Sequence, residues 1–206
     1  MPRAHVYIDG FNLYYGSLKG TPYKWLDVGK LCQAMLPIDT IQSIKYFTAT
    51  VSGRADDPHL HVRQQVYLRA LRTVPNLTLI YGHFLTHSVP MMLTGSKPPK
   101  KVWVNKTEEK GSDVNLAAHL LHDGFKGLYD VAVIITNDSD LAEPVRMVKQ
   151  VLNLQIGILN PHSRNSKTLQ QYATFIKRIR QQHLISSQFQ DKLKDGTGEF
   201  HKPSGW

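Results

Sequence analysis

Along the chain, short apolar runs alternate with segments whose apolar positions recur every three or four residues, the pattern of strands separated by helices. His5 to Asp9 reads as a short buried strand, Leu26 to Leu36 as a helix stopped by Pro37, and Ser43 to Val51 as a second strand. Pro58 to Thr73 sets Leu60, Val66, Leu68 and Leu71 along a helix, and Leu77 to Phe84 forms a third strand. Pro90 to Lys110 is rich in Pro and Lys, with only Lys101 to Val104 able to form a strand. Asp113 to Asp123 is then a helix and Asp130 to Thr136 a strongly apolar strand. Leu141 to Leu152 is a helix with Pro144 in its first turn, where the missing N–H is tolerated. Gln155 to Leu159 is a fifth strand, and a helical tail is expected from about Ser166.

Five strands separated by helices predict an α/β fold: a mainly parallel sheet covered by helices on both faces. Its crossovers should be right-handed, and its functional crevice should lie beyond the carboxyl ends of the strands. The 206 residues suffice for one substantial domain, and 41% hydrophobic content excludes wholesale disorder. We expect a domain over residues 1–160 and a helical, basic extension over 161–206 that packs on or flanks it. From Asn160 onward the chain carries eight Lys and Arg against three acids.

Charge adds to this picture. With 25 Lys and Arg against 16 Asp and Glu, the formal net charge is +9, which suits a polyanionic partner and nucleic acid first. The single cysteine, Cys32, has no partner for an internal disulfide or a thiolate-built metal site and reads as a small buried hydrophobe. No run approaches 18 apolar residues, and the first residues lack the pattern of a signal peptide, so a cytoplasmic protein without membrane contact is expected.

The candidate chemistry lies in acids placed where strands end. Asp9 closes the first strand, Asp138 and Asp140 follow the strand that ends at Thr136, and Asp113 opens a helix. In a doubly wound sheet such strand ends can converge on one rim, where clustered carboxylates repel unless cations or protons intervene. Hard oxygen donors select Mg²⁺ or Mn²⁺, which bridge to phosphate oxygens and activate water. An acidic pocket on a basic protein therefore suits phosphodiester cleavage. Each residue also has a plainer reading: Asp113 and Asp138 serve equally as helix-start acids, and Asn12 as a turn residue.

Tyr7-Ile8-Asp9-Gly10-Phe11-Asn12-Leu13-Tyr14-Tyr15, Lys110-Gly111-Ser112-Asp113-Val114 and Ile135-Thr136-Asn137-Asp138-Ser139-Asp140 occur in that order. The three segments resemble the motifs of NYN-domain proteins, the LabA-like (DUF88) branch of the PIN-like nuclease superfamily, over roughly residues 4 to 160. Leu141 departs from an aromatic often found there, and Asn137 from the commoner Gly. The resemblance implies a three-layer PIN-like α/β/α sandwich and metal-dependent ribonuclease activity. It also implies ligation of Mg²⁺ or Mn²⁺ by Asp9, Asp113 and Asp138, with Asp140 as a fourth acid and Asn12 orienting water, metal or phosphate.

For RNA, the expected contacts are Tyr14 as a stacking surface, Lys101, Trp103 and Lys110 on a basic-aromatic flap, and Arg164, Lys177, Arg178 and Arg180 on phosphates. The blander readings are a packed tyrosine, a solvated loop and the wet face of a helix. His119 and His122 stand at i, i+3 without the companions of a zinc site and read as surface residues. Three functions compete: a metal-dependent endoribonuclease, a non-catalytic RNA-binding module on the same fold, and a haloacid-dehalogenase-type phosphatase. The last fits poorly because Phe11 stands where its second acid belongs. RNA is the partner expected, and a homodimer is left open.

Overall fold

The computed structural model describes residues 1–53 and 56–206. Its elements run β1 (Arg3–Asp9), α1 (Gly10–Leu13) with a π-type turn over Tyr14–Leu18, α2 (Val28–Met35), β2 (Thr40–Thr48), α3 (Leu60–Leu71) and β3 (Leu77–Tyr81). They continue with β4 (His83–Met92), β5 (Lys101–Lys110), α4 (Ser112–Phe125), β6 (Val131–Ile135), a 3₁₀ turn at Ser139–Leu141, α5 (Ala142–Gln150) and β7 (Gln155–Asn160). The last are α6 (Lys167–Gln170), β8 (Phe175–Arg178), α7 (Gln181–Ser186), β9 (Lys192–Asp195) and β10 (Gly198–His201). Among these residues no helix is long and apolar enough to cross a membrane.

Six strands form one parallel sheet in the order β3-β2-β1-β6-β7-β8. The chain moves outward from β1 through β2 to β3, returns to lay β6 against the other side of β1, and then moves outward again. Strand order therefore reverses between β1 and β6, and the crevice beyond their carboxyl ends is where ligands of such sheets bind.

Strand alternation sorts the core into two layers. Val6 and Ile8 of β1, with Val133 and Ile135 of β6, pack on Leu31 and Cys32 of α2 and Leu68 and Leu71 of α3. Tyr7 of β1 and Ile134 of β6 face the other way, onto Leu116 and Leu120 of α4 and Val145 and Val148 of α5. Both central strands are covered on both faces, so they read as continuous apolar runs. The three-layer α/β sandwich expected from the sequence is present.

Two segments differ from expectation. Residues 83 to 110 form a long antiparallel ribbon, with β4 and β5 paired from His83–Lys110 to Met92–Lys101, where only Lys101 to Val104 was expected to be strand. Most of its residues are exposed, so its pairing rests on backbone bonds and leaves little hydrophobic pattern to read. The segment from Ser166 is not a helical tail either. It contains two short helices, the sheet strand β8 and the hairpin β9–β10. Lys177 and Arg178, which read as the wet side of a helix, belong to an edge strand. The same segment sends Ile179, Leu184, Phe189 and Phe200 into the first core layer, and the Trp25 indole N–H donates to the Gln190 carbonyl at 2.9 Å.

Candidate metal centre at the switch point

Asp9 is both the last residue of β1 and the N-cap of α1. Its Oδ1 accepts the Asn12 backbone N–H at 2.9 Å, and its Oδ2 accepts the Thr136 hydroxyl from the end of β6 at 3.1 Å. The following Gly10 is demanded by packing: a Cβ there would lie 2.6 Å from the Tyr46 ring and 2.7 Å from the Phe47 carbonyl oxygen. Asp138 caps the 3₁₀ turn, its Oδ1 accepting the Asp140 N–H at 3.0 Å. Asp113 stands in the first turn of α4, which the chain enters from β5 through Gly111 at φ 97°, a left-handed conformation that favours glycine.

These three carboxylates meet. One oxygen from each of Asp9, Asp113 and Asp138 lies within 4.8 Å of the others, with Asp9 buried, Asp138 half-buried and Asp113 exposed. Burial, reinforced by the charges of Asp113 and Asp138, pushes the Asp9 carboxyl up to about 6 against the lowering effect of its two hydrogen bonds. Desolvation raises Asp113 as well, with Asp138, Glu109 and Asp140 adding like charge. An all-carboxylate set with this much mutual repulsion fits a hard divalent cation such as Mg²⁺ or Mn²⁺, which takes oxygen donors and offsets their charge. Asp140, expected as a fourth acid, is exposed and stands outside this trio while still acting on Asp113.

Asn12 has a tying role. Its Oδ1 accepts the Asn137 N–H at 2.9 Å and lies 3.1 Å from His162 Nε2, so α1, the turn after β6 and the loop after β7 are joined at one atom. Asn137 in turn accepts the Ser166 N–H at 2.7 Å, and Thr136 accepts the Asp138 N–H at 3.1 Å. Thr136, His162 and Glu109 are neighbours of the centre that sequence reasoning did not single out. Thr136 lies inside a quoted motif; His162 and Glu109 carry no local signal, because their relevance depends on partners far along the chain or on a turn.

The residues expected to contact RNA are scattered rather than gathered at the centre. Tyr14 packs partly buried against the first core layer beside the site. Lys101 and Trp103 lie exposed on the ribbon, Trp103 at 73% of its surface, and Lys110 at the ribbon's base is 3.3 Å from Glu108. Arg164 is exposed in the loop that carries His162. Lys177, Arg178 and Arg180 sit at the far edge, on or just past β8, and the Lys177 ammonium donates to the Met35 carbonyl at 2.8 Å.

A family model described as NYN domain matches residues 3–184. The chain is 31% identical over 235 aligned residues to 6-hydroxy-3-succinoylpyridine 3-monooxygenase HspA of Pseudomonas putida (strain DSM 28022 / S16), covering 99% of this chain and 75% of that protein. Among solved structures it is similar to VPA0982, a protein of unknown function from Vibrio parahaemolyticus RIMD 2210633. The TM-score is 0.59 at 16% identity, over 87% of this chain and 94% of that one, which concerns the fold alone.

Proposed function

The chain belongs to the NYN-domain family, and from that premise we propose that it is a metal-dependent endoribonuclease. The observation that carries this reading is the convergence of Asp9, Asp113 and Asp138 at the switch point of a protein with net charge +9. Bound Mg²⁺ or Mn²⁺ would supply an activated water and neutralise charge on the phosphate oxygens. The three carboxylates would hold the cation. Thr136 and the Asn12 N–H fix both oxygens of Asp9, so that ligand is positioned before substrate arrives. The exposed lysines of the ribbon and Arg164 would hold the RNA backbone, with Trp103 available to stack on a base. Attack on phosphorus by water leaves a 5′-phosphate and a 3′-hydroxyl.

Asp113 gives the cleanest test, because it is exposed and its carboxylate accepts no hydrogen bond among the described residues. Labelled RNA is incubated with Mg²⁺, with Mn²⁺ and with chelator, using the native protein and Asp113→Asn. We expect cleavage that needs the metal and falls on the order of 100-fold in the variant. Cleavage that survives both chelator and substitution would sink the reading. RNA binding without cleavage would favour the binding module instead.

A second reading follows from the relative named as a monooxygenase: insertion of one atom of O₂ into a small heteroaromatic acid, the other atom being reduced to water by an external reductant. Oxygen uptake dependent on both an added reductant and a hydroxypyridine acid would support it. Unchanged uptake on adding the acid would count against it.

A further inference from the structure

Beside the carboxylates lies a cavity of about 430 Å³, within the range of small-ligand sites. Gly10 and Phe11, the next residues after Asp9, form part of its wall, as do Tyr46 and Thr48 near the carboxyl end of β2. Tyr15, Tyr67 and Trp206 add further aromatic lining.

Some of its polar groups are committed to the protein and some are not. Tyr67 donates to the Leu26 carbonyl at 2.9 Å, and Gln64 spends both ends of its amide on the backbone of Val51 and Ala49. Tyr46 and Thr48 are only 5% and 4% exposed, line the cavity, and have no side-chain hydrogen-bond partner among the described residues. Both hydroxyls therefore stand open to the cavity, uncommitted, and can bond a polar group that enters it. Three cations line the same cavity: Lys19, which lies 4.9 Å from the centre of the Tyr15 ring, Lys24, and Arg63, which is paired with Asp57. Asp56 also lines the cavity, so the wall's positive excess is small and the negative arm of a ligand is drawn chiefly to the two lysines.

Aromatic walls, two hydroxyls that can each donate and accept, and nearby lysines together describe a flat heteroaromatic ring with a hydrogen-bonding edge and an anionic arm. We propose that the cavity seats an unstacked nucleobase, from the nucleotide whose phosphate lies at the acidic trio. The phosphate's position rests on the nuclease reading; the base's position rests on the cavity alone. Bases presented singly are recognised in this way, by stacking and by edge bonds. The cavity and the carboxylates then divide one nucleotide between them, with Gly10 and Phe11 at the boundary.

The experiment measures binding in chelator, so that no metal holds the phosphate. Uridine and adenosine 5′-monophosphates are titrated by calorimetry and saturation-transfer NMR, with ribose 5-phosphate as the ligand lacking a base and nicotinate as a free heteroaromatic acid. The native protein is compared with Tyr46→Phe/Thr48→Val, which keeps shape and removes both hydroxyls; thermal unfolding checks that it folds. We expect both nucleotides to bind, ribose 5-phosphate not to, and the double variant to bind about 10-fold more weakly. In RNA cleavage the variant should raise KM more than it lowers kcat. Equal nucleotide binding by the variant, equal binding of ribose 5-phosphate, or binding of nicotinate alone would overturn the proposal. Variant-sensitive nucleotide binding with no RNA cleavage would defeat the nuclease reading and leave the base site standing. Metal-dependent cleavage with nucleotide binding indifferent to the two hydroxyls would do the reverse.

Discussion

Helix α4 carries a carboxylate near each end, Asp113 in its first turn and Asp123 in its last, and the two live in opposite surroundings. Asp123 is 2% exposed and accepts from the Lys45 ammonium and, at 2.7 Å, from the Tyr7 hydroxyl, with the rings of His5 and His122 at 3.5 and 3.4 Å. Burial alone would raise its carboxyl, but Lys45 and Tyr7 more than offset that and hold it below the ordinary carboxylate range. Asp113 meets Asp9 and Asp138 instead, and both Asp113 and Asp9 are raised. The fold neutralises one cluster from its own side chains. In the other, no cation of the described residues offsets the raised carboxyls, so a proton or a metal ion can do so. Acids that are buried and compensated hold a structure together; acids that are gathered and uncompensated mark a site.

The strongest test of that contrast is Asp123→Asn. Lys45, with a side chain only 17% exposed, would lose its carboxylate, and breaking one side of a buried pair costs about 3–5 kcal/mol. Urea unfolding should show a lower midpoint with an unchanged slope. An unaltered midpoint would remove the distinction between the two clusters.

Asp9→Asn should act with the opposite sign. Asn keeps an acceptor for the Asn12 N–H while removing a buried charge that faces two others. In chelator at pH 7 the variant should be more stable than the native protein by about 1–3 kcal/mol, the order that a rise from 3.8 to about 6 implies. The pH dependence follows from the same rise. Between about 4 and 6 the unfolded chain has released the Asp9 proton and the folded one retains it, so native stability falls as pH rises. Below that window Asp9 is neutral in both states and no penalty exists; above it the penalty is complete and flat. The gap between the two proteins should therefore open from pH 4 to 6 and stay constant beyond. Added Mn²⁺ should stabilise the native protein in proportion to its binding and leave Asp9→Asn nearly unmoved. A gap that closed with rising pH would refute the assignment of the raised carboxyl to Asp9.

The contrast also shows what a sequence discloses. Asp9 and Asp138 were legible because each ends an apolar strand, and strand order in a doubly wound sheet brings such ends together. Asp113 was legible by its motif. Thr136 and His162 were not identified, since their hydrogen bonds to Asp9 and Asn12 join positions 127 and 150 residues apart. The Asp123 cluster escaped for the same reason: His119 and His122 stood out by spacing, whereas Lys45, Tyr7 and His5 come from two other strands. The ribbon β4–β5 and the edge strand β8 were missed on different grounds. The ribbon exposes apolar residues such as Leu85, Met91 and Trp103 along with polar ones, and β8 is only four residues long, so neither shows the apolar periodicity from which elements are read.

A third carboxylate calibrates the low end of the comparison. Asp195 of β9 receives a two-pronged bond from Arg69 of α3, Nε to Oδ2 and Nη2 to Oδ1, each at 2.7 Å, and the pair lies where water reaches it. The guanidinium also bonds Thr197 and the Gly198 carbonyl and lies 4.1 Å from the centre of the Phe200 ring, so one side chain fastens the β9–β10 hairpin to α3. Solvent screens the ionic part of this contact, and the buried Phe200 still anchors the hairpin through the core. Arg69→Gln should therefore shift global unfolding less than either change above while speeding amide exchange in β9 and β10. As with Asp123, the Asp195 carboxyl is held low by its partner, so this contribution is present above the ordinary carboxylate range and lost as pH falls below it. The exchange difference between Arg69→Gln and the native protein should accordingly vanish in acid. A global loss as large as that from Asp123→Asn would mean that burial is not what separates these acids.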